Sequence, residues 1–127
     1  MQDTTLVFGA SLKPERYANI AIGRLLNYGE TVKAFGIKTG EVNGVTIDTE
    51  LLSYEKIDTV TLYLNPKRQK AYYDYIIGLK PKRVIFNPGT ENPEFYELLK
   101  ENKIHVEVAC TLVLLATNKY SNYSVTE

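Results

Sequence analysis

LVFGASLKPER, residues 6–16, is the stretch whose reading decides the fold. Leu6, Val7 and Phe8 form a short apolar run closed by Gly9, the pattern of a buried strand running into a turn. Pro14 is preset for a first helical position, and Tyr17, Ile20, Ala21, Leu25 and Tyr28 then recur at helical spacing. Gly29 suits the left-handed residue that closes a helix. Strand, glycine turn and helix in that order open a βαβ unit, and the turn faces the free N–H groups of the helix. The dinucleotide fingerprint would place Gly-x-Gly-x-x-Gly at this point. The chain offers Gly9-Ala10-Ser11-Leu12-Lys13-Pro14 and keeps only the first glycine.

Outward from this turn the same alternation continues. Thr31 to Ile37 reads as a second strand, followed by a loop punctuated by Gly36, Gly40 and Gly44, with a short extended piece at Val45 to Ile47. Leu51 to Lys56 reads as one or two helical turns, and Asp58 to Leu64, rich in β-branched and aromatic residues, as the third strand. Asn65-Pro66 starts a helix to about Leu79, with Ala71, Tyr72, Tyr75, Ile76 and Leu79 along one stripe. Arg83 to Phe86 is the fourth strand, Asn87-Pro88-Gly89 a loop, and Asn92-Pro93-Glu94 a capped helix start. Ile104 to Val108 is the fifth strand and Cys110 to Ala116 a last short helix, after which the polar end from Asn118 is expected to fray. Five strands separated by helices, with no hairpin signal, predict an α/β fold. It is a Rossmann-like, doubly wound, five-stranded parallel sheet of order 3-2-1-4-5 in three α/β/α layers. All 127 residues read as one domain.

Composition narrows the function. Fifteen basic residues balance fifteen acidic ones, which argues against a general nucleic-acid binder. The single cysteine, Cys110, precludes an internal disulfide or a cysteine-rich zinc site and suits a reducing cytoplasm. No basic segment precedes a long apolar run at the N-terminus, and Val108 to Ala116 is far shorter than the roughly 20 residues a membrane span needs. The reading is therefore a cytoplasmic protein without a membrane partner, and the acceptor pattern Asn122-Tyr123-Ser124 is a chance match.

In an open parallel sheet, ligands bind beyond the carboxyl ends of the strands where strand order reverses. At the first such loop, Lys13 and Arg16 stand at a helix start, where the dipole disfavours cations unless an anion offsets them. At the second, a nicotinamide dinucleotide site would place a carboxylate about 20 residues past the glycines to bind the ribose. Phe35-Gly36-Ile37-Lys38 has none, and Lys38 suits a phosphorylated ribose instead, as in NADP or coenzyme A. Formal catalytic matches fail on context. Ser53-x-x-Lys56 and Lys38-Thr39-Gly40 occur in reversed order, and Pro66 breaks the helix that Tyr63-x-x-x-Lys67 would need. His105 is the lone histidine and lies at the start of a strand, and Cys110 reads as a packed thiol. A thiol close to a thiol cofactor would also permit a mixed disulfide.

Taken together, Gly9-Ala10-Ser11 with Lys13-Pro14-Glu15-Arg16, the second-strand end with Lys38, the Glu41-Val42-Asn43-Gly44 turn, Asp58-Thr59-Val60, Asn65-Pro66 and Asn87-Pro88-Gly89 resemble a known family. It is that of the small single-domain coenzyme A-binding proteins, related to the coenzyme A-binding domain of the succinyl-CoA synthetase α subunit. The resemblance runs from Leu6 to about Leu115. It implies that Gly9, Ser11 and Arg16 hold the pyrophosphate and Lys38 the 3′-phosphate, with Ala10 and Ile37 completing the two loops. Asn65, Asn87 and Gly89 would line the adenine and pantetheine sides. The synthetase's phosphohistidine has no counterpart, so ligase activity is not implied, and no catalytic or metal site is expected. The expected function is non-catalytic binding of coenzyme A or an acyl-CoA. The alternatives are a small NADP-dependent reductase, or a regulatory module with a vestigial pocket. Leu112, Val113 and Leu115 offer a surface for a homodimer, which core packing explains equally well.

Overall fold

A computed structural model describes residues 4–121. Seven strands form one sheet: β1 (Thr4–Ala10), β2 (Thr31–Gly36), β3 (Gly40–Val42), β4 (Val45–Asp48), β5 (Ile57–Leu62), β6 (Arg83–Phe86) and β7 (His105–Val108). Their order is β3-β4-β2-β1-β5-β6-β7. All five expected strands are present and mutually parallel, but the expected count and order are corrected. In terms of those five strands the order is 2-1-3-4-5, not 3-2-1-4-5.

The reason lies in a missed hairpin. Asn43 (φ 50°) and Gly44 (φ 85°) are both left-handed, as a two-residue type I′ turn requires, and join β3 to β4 antiparallel. β4 then pairs parallel with β2, through Ala34 opposite Ile47 and Phe35 opposite Asp48. That pairing fills the place beside β2 which the third strand was expected to take. β5 is left the open edge of β1, where Thr5 to Phe8 pair with Thr59 to Leu62.

Successive strand residues point to opposite faces, and both faces are buried, as expected of a parallel sheet with covered sides. Leu6, Phe8, Leu62, Val84 and Phe86 pack on one side with Ile76 of α3 (Tyr73–Gly78) and Phe95 and Leu99 of α4 (Pro93–Glu101). Val7, Ala34 and Ile85 pack on the other with Ala21, Ile22 and Leu25 of α1 (Tyr17–Tyr28), backed by Leu112 and Leu115 of α5 (Thr111–Ala116). Val113 faces outward. Among the described residues no helix is long and apolar enough to cross a membrane.

Local chemistry sets most helix ends. Asn65 accepts the Arg68 N–H at 3.0 Å and Pro66 opens α2 (Pro66–Gln69), while Asn92 accepts the Phe95 N–H at 3.3 Å ahead of Pro93. Gly29 closes α1 at φ 100°. The helix expected from Asn65 to Leu79 is interrupted by a 3₁₀ turn at Lys70–Tyr72. The expected turns at Leu51 to Lys56 are absent; the segment has no regular structure and is tied down where the Tyr54 hydroxyl donates to the Asp48 carboxylate and that of Tyr75 to the Leu52 carbonyl.

Nor does the chain fray at Asn118. Tyr120 is buried, its hydroxyl bonded to Thr5 Oγ1 at 2.6 Å and its carbonyl accepting from Arg83 Nη1 at 2.8 Å. The Arg83 guanidinium lies 4.5 Å from the Tyr120 ring centre. The Asn122-Tyr123-Ser124 pattern lies outside the described residues.

Candidate functional site

The corrected strand order moves the switch point. With order 2-1-3-4-5 the chain reverses between β1 and β5, so a ligand crevice is expected over the ends of β2, β1 and β5. A cleft of about 620 Å³ opens there. Gly9 to Lys13 and Arg16 form its middle, Phe35 to Lys38 one wall, and Tyr63, Leu64, Lys67, Arg68, Ala71 and Tyr72 the other.

Two glycines make this geometry. Gly9 sits at a register shift between β1 and β2 with φ 102°, which side-chain-bearing residues rarely adopt. A Cβ there would lie 3.2 Å from the Tyr63 carbonyl carbon and 3.1 Å from Leu64 Cδ2, so the turn rests directly on the end of β5. At Gly36 a Cβ would meet the Ala10 carbonyl oxygen at 2.5 Å, so only glycine lets the ends of β1 and β2 approach this closely. Pro14 to Arg16, expected to open the first helix, lie before it; α1 begins at Tyr17 with Arg16 as its N-cap. The Ser11 hydroxyl accepts the Lys13 N–H at 3.1 Å, which leaves its own proton to donate, and the Ser11 carbonyl accepts from Asn19 Nδ2 at 2.9 Å.

The electrostatics are one-sided. Lys13, Arg16, Lys38, Lys67 and Arg68 line the cleft, and among the described residues no carboxylate does. The first turn of α1 carries no acidic residue and its N-cap is an arginine, so the positive end of that helix is not offset from within. A net charge of zero for the whole chain makes this concentration a property of the place. The apolar part of the wall is aromatic. Phe35 stacks on Phe8 at 4.7 Å between ring centres, and Tyr72 meets both edge-on, at 5.7 and 5.1 Å. The Tyr63 hydroxyl is buried beside Thr61 and Thr111 without a hydrogen bond of its own; burial pushes its pKa up to about 12, with the two threonine hydroxyls pulling the other way. It therefore stays a neutral phenol at physiological pH.

Of the residues the sequence singled out, Gly9, Ala10, Ser11, Arg16, Ile37 and Lys38 come together in this cleft. Asn65, Asn87 and Gly89 do not line it. Asn65 spends its carbonyl on the α2 cap. Asn87 is buried, donating to Thr61 Oγ1 at 2.7 Å and the Leu62 carbonyl at 2.8 Å and accepting the Thr111 N–H at 2.8 Å. Gly89, at φ 94°, donates its N–H to the Glu91 carboxylate. With β6 expected next to β1, the loop after it belonged at the cleft; with β5 there instead, it lies one strand further off. The same change brings in Lys67 and Arg68, which were missed. Their signal was present: two cations in the first turn after Asn65-Pro66, at a strand's carboxyl end. His105 and Cys110 lie outside the cleft lining.

Beneath the α2 wall runs a buried polar network. Gln69 Nε2 donates to the carbonyls of Leu64 and Thr90, each at 2.8 Å, and its Oε1 accepts from Asn92 Nδ2 at 2.9 Å. Asn92 also donates to the Tyr73 hydroxyl, which donates to Glu94. The wall that carries Lys67 and Arg68 is thereby fixed to the loop after β6.

The CoA binding domain model matches residues 3–116, and the chain belongs to that family, whose membership supports a coenzyme A-binding role. The chain is 49% identical to a protein of known crystal structure described only as uncharacterized, with a TM-score of 0.90 over 94% of this chain and 98% of that one. It is 33% identical to a hypothetical protein from Pyrococcus horikoshii, with a TM-score of 0.77 over 86% and 78% of the two chains. A dinucleotide-forming acetyl-coenzyme A synthetase from Candidatus Korarchaeum cryptofilum, solved with phosphate and ADP, shares the fold at 19% identity and a TM-score of 0.66, over 82% of this chain and 25% of that one. No curated protein matches the chain.

Proposed function

We propose that the protein binds coenzyme A or an acyl-CoA by its nucleotide half and performs no chemistry on it. The pyrophosphate sits at the Gly9–Ser11 turn against Arg16, and the 3′-phosphate sits against Lys38. The observation that carries this reading is the cleft's charge: among the described residues, five cations and no carboxylate at the switch point of a neutral chain. Coenzyme A suits it because it joins several phosphate charges to a base and an arm that need apolar walls, which Phe35, Ile37, Leu64 and Tyr72 supply. In this reading Ser11 and the lysines of the lining hold the ligand rather than act on it. Asn65 and Asn87 act in this reading by holding the wall in place.

Isothermal titration with coenzyme A, dephospho-coenzyme A and NADPH tests the reading. Coenzyme A is expected to bind best, and Lys38→Ala to abolish its advantage over the dephospho form. Equal binding of those two ligands by the unaltered protein would remove the role of Lys38. Preference for NADPH would favour the reductase, and no binding of any of the three the vestigial pocket.

A further inference from the structure

We infer that the pyrophosphate is gripped from two sides, with Lys67 and Arg68 of α2 forming a second cationic wall opposite the Gly9–Arg16 turn. The inference rests on the coenzyme A reading for the identity of the ligand, but its geometry does not. The proposed contacts to Gly9, Ser11, Arg16 and Lys38 all lie at the ends of β1 and β2 and in the loop before α1, which leaves three of the five cations, Lys13, Lys67 and Arg68, without a role. Lys13 belongs to the loop before α1, and Lys67 and Arg68 stand on the far side of the same cleft.

Gly9 packs directly on Tyr63 and Leu64, and Lys67 follows Leu64 by three residues, so the wall that carries Lys67 and Arg68 starts at the turn itself. Lys38 follows β2, on the other side of β1. Both are exposed and make no salt bridge among those of the described residues, so no protein carboxylate competes for them. Their backbone is not free to drift. Asn65 caps the turn that carries them, and the next residue, Gln69, is locked by three buried hydrogen bonds at 2.8, 2.8 and 2.9 Å. A fixed backbone under two long cationic side chains is an arrangement that positions charge without burying it, and it costs little until an anion arrives. The consequence is selectivity for the doubly charged bridge: a ligand with a single 5′-phosphate engages one wall, and a pyrophosphate engages both.

Lys67→Ala/Arg68→Ala should test this, since both side chains are exposed and the Asn65 side chain caps the backbone N–H of residue 68, which alanine keeps, so the melting temperature should not change. The variant should bind coenzyme A and dephospho-coenzyme A each roughly ten- to a hundred-fold more weakly, as for loss of one or two charge-assisted hydrogen bonds. Adenosine 3′,5′-bisphosphate, which has no pyrophosphate, should lose less than about three-fold, as for screened surface charges. Inorganic pyrophosphate, followed by the amide signals of Gly9 to Ser11, should bind the unaltered protein and weaken with the variant. An unchanged affinity for coenzyme A, or a loss that follows the 3′-phosphate, would overturn the clamp while leaving the coenzyme A reading in place. Failure of every nucleotide with pyrophosphate still bound and still sensitive to the variant would overturn that reading and leave the clamp. A protein that binds neither overturns both.

Discussion

Replacing Asn87 with alanine separates a ligand contact from a structural tie. The side chain joins three elements: β5 through Thr61 Oγ1 and the Leu62 carbonyl, β6 through its own backbone, and α5 through the Thr111 N–H. Thr111 is the first residue of α5, so its N–H has no acceptor within the helix and depends on Asn87. Removing the amide strands that donor, at about 1–3 kcal/mol for a buried unpaired group, and deletes two further hydrogen bonds worth about 1 kcal/mol each. Water entering the vacated polar space recovers part of this, so about 3 kcal/mol is expected. With an unfolding entropy of about 2.1 cal/mol/K per residue, 127 residues convert that into a fall in Tm of about 11 °C. Calorimetry measures the shift, and titration of coenzyme A well below the new Tm measures affinity, which should stay within about two-fold because Asn87 does not line the cleft. An unchanged Tm with collapsed affinity would refute the reasoning and return Asn87 to the ligand.

Gly36→Ala should cost about 2–3 kcal/mol in urea unfolding and also weaken coenzyme A, because its Cβ would meet the Ala10 carbonyl at 2.5 Å and part β1 from β2 at the cleft floor. Arg83→Met should destabilise by about 3 kcal/mol, measured the same way. It breaks the ion pair of the buried guanidinium with half-buried Glu107 at 2.9 Å and the bonds to Thr59 and the Tyr120 carbonyl, and it should make the C-terminal segment sensitive to protease. Burial lowers the pKa of His105, with Glu107 pulling upward and Arg83 downward, so the unfolded chain takes up its proton first as pH falls. Stability from this group is full above about pH 6.5 and declines as pH drops below that towards the lowered folded value. His105→Gln should flatten the stability profile in that window, and an unaltered slope would place its origin elsewhere.

The sequence by itself determined the class of fold and half of the site. Apolar runs closed by glycine or Asn-Pro marked four of the five parallel strands, and the asparagine caps at Asn65 and Asn92 fixed two helix starts, because these signals act within a few residues of chain. Gly9, Ser11, Arg16 and Lys38 were legible for the same reason: each lies at or after the carboxyl end of a strand, and those ends share one edge of a parallel sheet. Strand order was not legible, because it depends on which edges compete for which partners. Asn43-Gly44 carried a hairpin signal in two residues, yet its effect was felt at a distance: it gave β2 a neighbour and left β5 to β1. Only the tertiary structure decided that exchange. With it came the switch point, the position of Asn87 and Gly89 outside the cleft lining, and the entry of Lys67 and Arg68 into it. Whether a loop forms a wall of the cleft depends on the neighbour of its strand, and neighbours are chosen by edges across the whole sheet.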